Sequence, residues 1–380
     1  MYDGIEKNEN VIFMQNKFHV SFIDGALLEI RGNSDTEYYV EFIDFDSGEC
    51  VYSTYINEGG WARTSRKWWT NWLIRVTSNG GVVFEHKYDA ESKNVLISLE
   101  SSALGDTVAW VPYAEEFRKK WNCNVYFSTF HNSLFQSEYP NINFISPGMV
   151  VHSLYASYRI GWFYEEEVDK SKHKTNFFEI PLQQTATDIL GLDFKEIKPN
   201  IKRLKPISHE KPYICIANHS TAQTKYWNNP TGWQELVDFV KSNGYDVMIL
   251  SKEGDNYMGN KNPIGVIEVK NKTLEEIGSI LNGSSAFVGI GSGLSWFSWA
   301  LGVPTILISG FSKPFQEMKS DVIRVINENV CNGCFSRYLF DKGDWNWCPD
   351  QKGTEKQFEC TKSITFDMVK PHIQKILKLS

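Results

Sequence analysis

The period of hydrophobic and polar positions changes near residue 94. Before it, "EYYVEFIDFDSGECVYSTYI" alternates apolar and polar residues in part, the two-residue period of half-buried strands. "NWLIRVTSNGGVVFEHKYD" sets two such runs around Asn79-Gly80-Gly81. That is a hairpin signal, because Asn and Gly tolerate the positive φ of tight turns. Residues 1–92 therefore read as a small antiparallel β domain, with the Trp-rich "RKWWTNW" packed between its strands.

After residue 94, short apolar runs alternate with helical periodicity. "NVLISLE", "CNVYFST" and "NINFISP" read as strands, separated by a helix "VPYAEEFRKKWN" and a short one near "NSLFQSEY". Residues 150–180, aromatic and irregular, fit neither period. "LQQTATDILGL" reads as a helix and "DFKEIKPNIKRLKPISHEKP" as a charged linker. A second series follows, with strands "YICIA", "DVMILS", "GVIEV", "AFVGI" and "TILIS" and helices "TGWQELVDFVKSNG", "TLEEIGSILNG" and "SWFSWALG". Alternating strands and helices imply parallel sheets. The expectation is an α/β chain with two Rossmann-type halves, 93–205 and 206–380, behind the β domain. A cleft between them would place ligands beyond the carboxyl ends of the strands.

Composition narrows the function. Hydrophobic residues make up 42% of the 380 and charged residues 22%, ordinary for a globular protein. No run approaches the roughly 18 apolar residues of a membrane helix. "MYDGIEKNEN" lacks the basic start and apolar run of a secretory signal, so a cytoplasmic location is expected. A net charge of −7 without a Lys/Arg block disfavours nucleic acid. The 13 Trp suggest a large aromatic core more than a sugar-binding surface.

Five stretches carry candidate chemistry. Cys331, Cys334, Cys348 and Cys360 follow the spacing C-x2-C-x13-C-x11-C. Thiolates at such spacing can close a tetrahedron around one ion, and an all-thiol set suits a structural site. Disulfides are the alternative, disfavoured without export. Zinc and iron both accept sulfur ligands, and spacing does not choose between them. Cys50, Cys123 and Cys215 sit in apolar strand contexts as packing residues.

In "VGIGSGLSWFSWALGVP", a buried strand ends at a Gly291-Ser292-Gly293 turn, and a helix begins near Leu294. Backbone amides and a helix N-terminus favour an anion such as a diphosphate, although a plain tight turn has the same pattern. "IANHSTAQTKYWNNPTGW" follows the first strand of the second half and offers Thr221, Thr224 and Lys225. Lysine there can neutralise a departing diphosphate, whereas most lysines are merely solvated. "LSKEG" brings Ser251 and Glu253 to the next strand end as candidates for adenosine and its ribose. In "ALGDTVAWVP", Asp106 is either a helix cap or a general base able to deprotonate a hydroxyl.

Together these stretches resemble the GT-B heptosyltransferases that build the lipopolysaccharide inner core. "ALGDTVAWVP" is similar to that family's Gly-Asp motif, which implies catalysis by Asp106, with Gly105 and Thr107 beside the donor. "HSTAQTKYW" resembles its Lys-x-Trp segment, which implies that Lys225 contacts the donor phosphates. "GIGSGLSWFSWALGVP" resembles its Asp-Thr-Gly-Leu-x-His loop; Ser292, Gly293 and Leu294 match, while Gly291 replaces the Asp and Trp296 the His. The added β domain and four-cysteine segment, 331–360, are similar to those of the bacterial autotransporter heptosyltransferases. That resemblance implies an inverting transfer of heptose from ADP-heptose to serine hydroxyls of an adhesin, without a catalytic metal. It also implies a structural iron, zinc being the alternative, and a dodecamer. The rival readings are a lipopolysaccharide or other sugar acceptor for the same fold, and a non-catalytic metal-knuckle binding protein.

Overall fold

The computed structural model describes residues 17–379. The stretch on which the export expectation rests lies outside them. In the second half, Tyr213–Ala217, Asp246–Leu250, Ile267–Val269, Phe287–Ile290, Thr305–Ile308 and Val322–Val325 form one parallel sheet. Numbered along the chain, its strands lie side by side in the order 3-2-1-4-5-6, the doubly wound arrangement. Every residue of Tyr213–Ala217, Phe287–Ile290 and Thr305–Ile308 is buried, as strands covered on both faces require. The order reverses between Tyr213–Ala217 and Phe287–Ile290. A crevice therefore opens beyond these two strand ends, where the Lys225 and Ser292 segments begin.

The first half is built differently from the sequence expectation. Its seven-stranded sheet runs Asn143–Ile145, Asn124–Ser128, Asn94–Leu99, Leu154–Ile160, Phe18–Ile23, Leu27–Ile30 and Trp61–Arg63. Residues 150–180 thus supply a central strand, Leu154–Ile160, which pairs in parallel with both Asn94–Leu99 and Phe18–Ile23. Only Glu37–Asp44, Glu49–Asn57, Trp72–Ser78 and Gly81–Lys87 form a separate antiparallel sheet. Its hairpin turns at Asn79 (φ 49°) and Gly80 (φ 78°), the two positive values of a type I′ turn. Residues before 93 are therefore divided between two sheets. Phe18, Phe22, Phe42 and Trp72 share one core with Trp110 and Phe117, so this segment is continuous with the first half.

Trp110 and Trp299 are fully buried, as an aromatic core predicts, whereas Trp61 is 63% exposed. Cys123 and Cys215 are buried, but Cys50 is exposed on the outermost strand of the four-stranded sheet, and all seven cysteines are free thiols. No helix among the described residues is long and apolar enough to cross a membrane.

Candidate functional site

Strand Asn94–Leu99 is followed by Glu100, Ser101 and Ser102, and helix Leu104–Trp110 starts directly after Ala103. Its N-cap is Ala103 and no side chain caps it. Asp106 is therefore in the first turn without being the cap, and its carboxylate is free for other work. Burial in the cleft pushes its pKa above the ordinary carboxylate value. A hydrogen bond from Ser101 and the charges of Lys225 and Lys342 oppose that rise. Thr107 is fully buried, and its hydroxyl donates to the Ala103 carbonyl at 3.2 Å. That hydroxyl is spent inside the helix and does not face a donor.

On the other side, helix Gly293–Ala300 has Ser292 as N-cap, again with no capping side-chain bond. Ser292 Oγ is buried with no partner. An orphaned hydroxyl at a helix N-terminus is what an anion would satisfy. Lys225 sits in a short 3-10 turn, Gln223–Lys225, with Nζ donating to Thr221 Oγ1 at 3.3 Å. Its ammonium lies 5.0 Å from the Phe311 ring centre and 5.4 Å from that of Phe340. Burial lowers its pKa; the negative charges of Glu317 and Asp106 resist the change. Thr224, by contrast, is buried at 2% exposure.

The two motifs meet directly. A Cβ on Gly293 would stand 3.0 Å from the Gly105 amide nitrogen, and one on Gly105 would stand 3.3 Å from the Gly293 Cα. Two glycines let helices Leu104–Trp110 and Gly293–Ala300 touch backbone to backbone. Asp106 and Ser292 are each next to one of these glycines, so the carboxylate and the uncapped helix N-terminus come from opposite halves across one seam. Gly291 borders the Glu317 carboxylate, and Leu294 is half-buried in the first turn.

Ser251 and Glu253 lie further along the switch crevice. The Ser251 hydroxyl donates to the Glu253 carbonyl at 2.8 Å and is 2.5 Å from His219 Nδ1. Nδ1 then carries the proton and Nε2 is an acceptor; Nε2 is buried without a partner. Burial lowers the His219 pKa, which keeps the ring neutral. His219 was visible in the sequence only as one more polar residue of its loop.

The four-cysteine segment adds residues that no strand-end pattern signals. Gly333 (φ 67°) makes the turn between Cys331 and Cys334, and its amide donates to the Gly310 carbonyl at 2.8 Å. Phe335, Phe340 and Trp347 join Phe177 and Phe178 of the first half in one buried cluster with Cys334. Phe335 packs against Phe178 at 4.9 Å and Phe311 at 5.0 Å between ring centres. The segment therefore closes one end of the cleft. It also brings in Lys342, whose Nζ lies 5.4 Å from the Tyr164 ring centre and whose charge reaches both Asp106 and Lys225.

Among the described residues, no group of three or more His, Cys, Asp or Glu side chains is arranged to hold an ion. The thiols are nonetheless neighbours: Cys331, Cys334 and Cys360 all feel the charge of Cys348, and Cys360 also that of Cys331 and Cys334; burial raises the pKa of these three, Cys334 to about 11 and Cys360 to about 12. The donor set fits a sulfur-liganded ion; the closed tetrahedron is absent from the described geometry.

Comparison with known proteins places this architecture. The model of glycosyltransferase family 9 (heptosyltransferase) matches residues 149–338, which take in Lys225 and Ser292 but not Asp106. The autotransporter heptosyltransferase BAHTCr of Citrobacter rodentium is 35% identical, over 93% of this chain and 88% of its own. The crystal structure of TibC from enterotoxigenic E. coli H10407, described as an iron-containing dodecameric glycosyltransferase, superposes with a TM-score of 0.88 at 33% identity, covering 95% of this chain and 96% of TibC. A second TibC structure, in complex with ADP-D-beta-D-heptose, gives a TM-score of 0.87 at 32% identity over 95% of this chain and 96% of that one. BimC of Burkholderia thailandensis, described as inactive, is 29% identical over 90% of this chain and 82% of its own. With these two α/β halves, the shared length and this identity, the chain belongs to the autotransporter heptosyltransferases of glycosyltransferase family 9.

Proposed function

We propose that this enzyme transfers heptose from ADP-heptose to serine hydroxyls of an autotransporter adhesin, in the cytoplasm, by a single inverting displacement. The observation that carries this reading is the seam itself. Gly105 and Gly293 hold the Asp106 turn against the Ser292 turn, so an acceptor on one half reaches a donor on the other. In the proposed step, Asp106 takes the serine proton as the hydroxyl oxygen attacks the anomeric carbon. The bond from that carbon to the phosphate oxygen breaks. Lys225 and the amides at the start of Gly293–Ala300, with Ser292 Oγ, take up the charge of the departing ADP. Gly291 and Leu294 shape that turn. Thr221 positions Lys225, and Glu253 beside Ser251 and His219 lies where adenosine would extend. Lys342 supplies a second cation. No step needs a metal.

NMR of the glycopeptide product tests the displacement: the new anomeric bond is expected to have the configuration opposite to that of the donor. Retained configuration would contradict a one-step attack guided by Asp106.

The iron reported for TibC fits the four thiols by donor chemistry. We infer that Cys331, Cys334, Cys348 and Cys360 hold one structural iron, which would fix Phe340 over Lys225 and Phe335 against Phe311, and that the chain assembles as a dodecamer. Cys334→Ser is expected to lose bound metal in elemental analysis and to shift the assembly in sedimentation. A variant with full metal content would overturn the ligand assignment.

A further inference from the structure

Glu317 is a largely buried carboxylate that the proposed transfer leaves unused. It follows the short turn Pro314–Gln316, beyond strand Thr305–Ile308. Its side chain is 12% exposed, and that of its ion-pair partner Arg324 is 10% exposed. Arg324 Nη1 donates to it at 2.6 Å and Ser312 Oγ at 2.8 Å, and both bonds end on Oε2. Among the described residues, no hydrogen bond to Oε1 accompanies them. Oε1 instead lies 3.0 Å from where a Cβ on Gly291 would stand.

Gly291 opens the turn that leads to Ser292 and the helix N-terminus. Oε1 therefore stands beside the expected diphosphate. A carboxylate oxygen there repels phosphate and is satisfied only by a hydrogen-bond donor. In a nucleoside diphosphate sugar, the donors next to the phosphates are the hydroxyls of the sugar. Space for a sugar adjoins Glu317: a cavity of about 320 Å³ lies between the halves, lined by Glu317, Trp296 and Phe315 on one side and Pro181, Leu182 and Gln183 on the other. An indole face such as that of Trp296 suits the apolar side of a sugar ring.

We propose that Glu317 recognises the transferred sugar: Oε1 accepts a hydrogen bond from one of its hydroxyls, Arg324 and Ser312 hold the carboxylate, and Gly291 leaves it room. The proposal rests on the nucleotide-sugar reading above.

Binding of ADP and of ADP-heptose to the full chain by calorimetry separates the two ideas. Glu317→Gln keeps the size of the side chain and a carbonyl for Arg324. It is expected to bind ADP at least as tightly as the unaltered protein does, since a negative charge beside the diphosphate is lost, and ADP-heptose about 10- to 100-fold more weakly, the scale of a lost charge-assisted hydrogen bond. Gly291→Ala, which crowds Oε1 without removing the carboxylate but also alters the diphosphate turn, is expected to weaken ADP-heptose more than ADP. Equal weakening of both ligands would assign Glu317 to scaffolding through Arg324, and no weakening would remove it from the site; either result overturns the proposal. If the unaltered protein failed to bind ADP, the nucleotide-sugar reading would fall and this proposal with it.

Discussion

Asp106→Asn is expected to lower kcat by about 10²–10⁴-fold, the usual contribution of a general base, while ADP binding stays close to that of the unaltered enzyme. Asparagine fills the same space and leaves the helix start intact, because Asp106 is not the cap of that helix. What it removes is the ability to accept a proton. Two controls distinguish this from misfolding. Burial raises the Asp106 pKa, so the folded chain holds this proton more tightly than the unfolded chain. Such a group favours folding at acid pH and loses that contribution as pH rises through its folded pKa. At neutral pH the asparagine variant should therefore melt no lower than the unaltered enzyme. The acid limb of the kcat profile should also sit above the ordinary carboxylate range and vanish in the variant. Near-normal turnover by Asp106→Asn would remove Asp106 from catalysis.

Lys225→Gln is expected to cost about 10²–10³-fold in kcat, comparable to removing one preorganised charge stabiliser. Its ammonium is held by Thr221 and by the rings of Phe311 and Phe340, a desolvated setting in which its interaction with phosphate is strengthened. The variant should also bind ADP more weakly, unlike Asp106→Asn. A second signature follows from the shared electrostatics. The Lys225 charge holds the Asp106 pKa down, so its removal should move the acid limb of the pH profile upward. Measuring kcat, ADP affinity and the pH profile together checks all three. A lowered kcat with unchanged ADP affinity and an unmoved acid limb would place Lys225 outside the cleft chemistry.

The sequence exposed those parts of the fold whose burial is simple. Strands covered on both faces are continuous apolar runs, so Tyr213–Ala217 and Phe287–Ile290 were legible, and the Lys225 and Ser292 turns came with them. Leu154–Ile160 was hidden because it mixes Tyr, Ser and Arg. Its place in the sheet depends on pairing with Phe18–Ile23, far away in the chain. The same pairing draws residues before 93 into the first half, which no local pattern encodes. Asp106 was legible as a carboxylate at a strand-to-helix turn. Thr107, one position and about 100° further round the helix, is buried in the core. Lys342 and Glu317 lie on irregular loops whose approach to the cleft is set by tertiary contacts: Phe335 and Phe340 against Phe177 and Phe178 for one, Arg324 for the other. Cysteine spacing alone does not report which thiols converge.

The central claim is that base and diphosphate site, brought together from two halves at the Gly105–Gly293 seam, transfer a sugar to protein. Intact-mass analysis of an autotransporter passenger fragment incubated with enzyme and ADP-heptose tests it most directly. The expected result is a ladder of heptose-sized increments that Asp106→Asn abolishes. An unmodified fragment, given a folded and metal-loaded enzyme and a fragment that a related enzyme does modify, would contradict the account and place this chain beside the relative described as inactive.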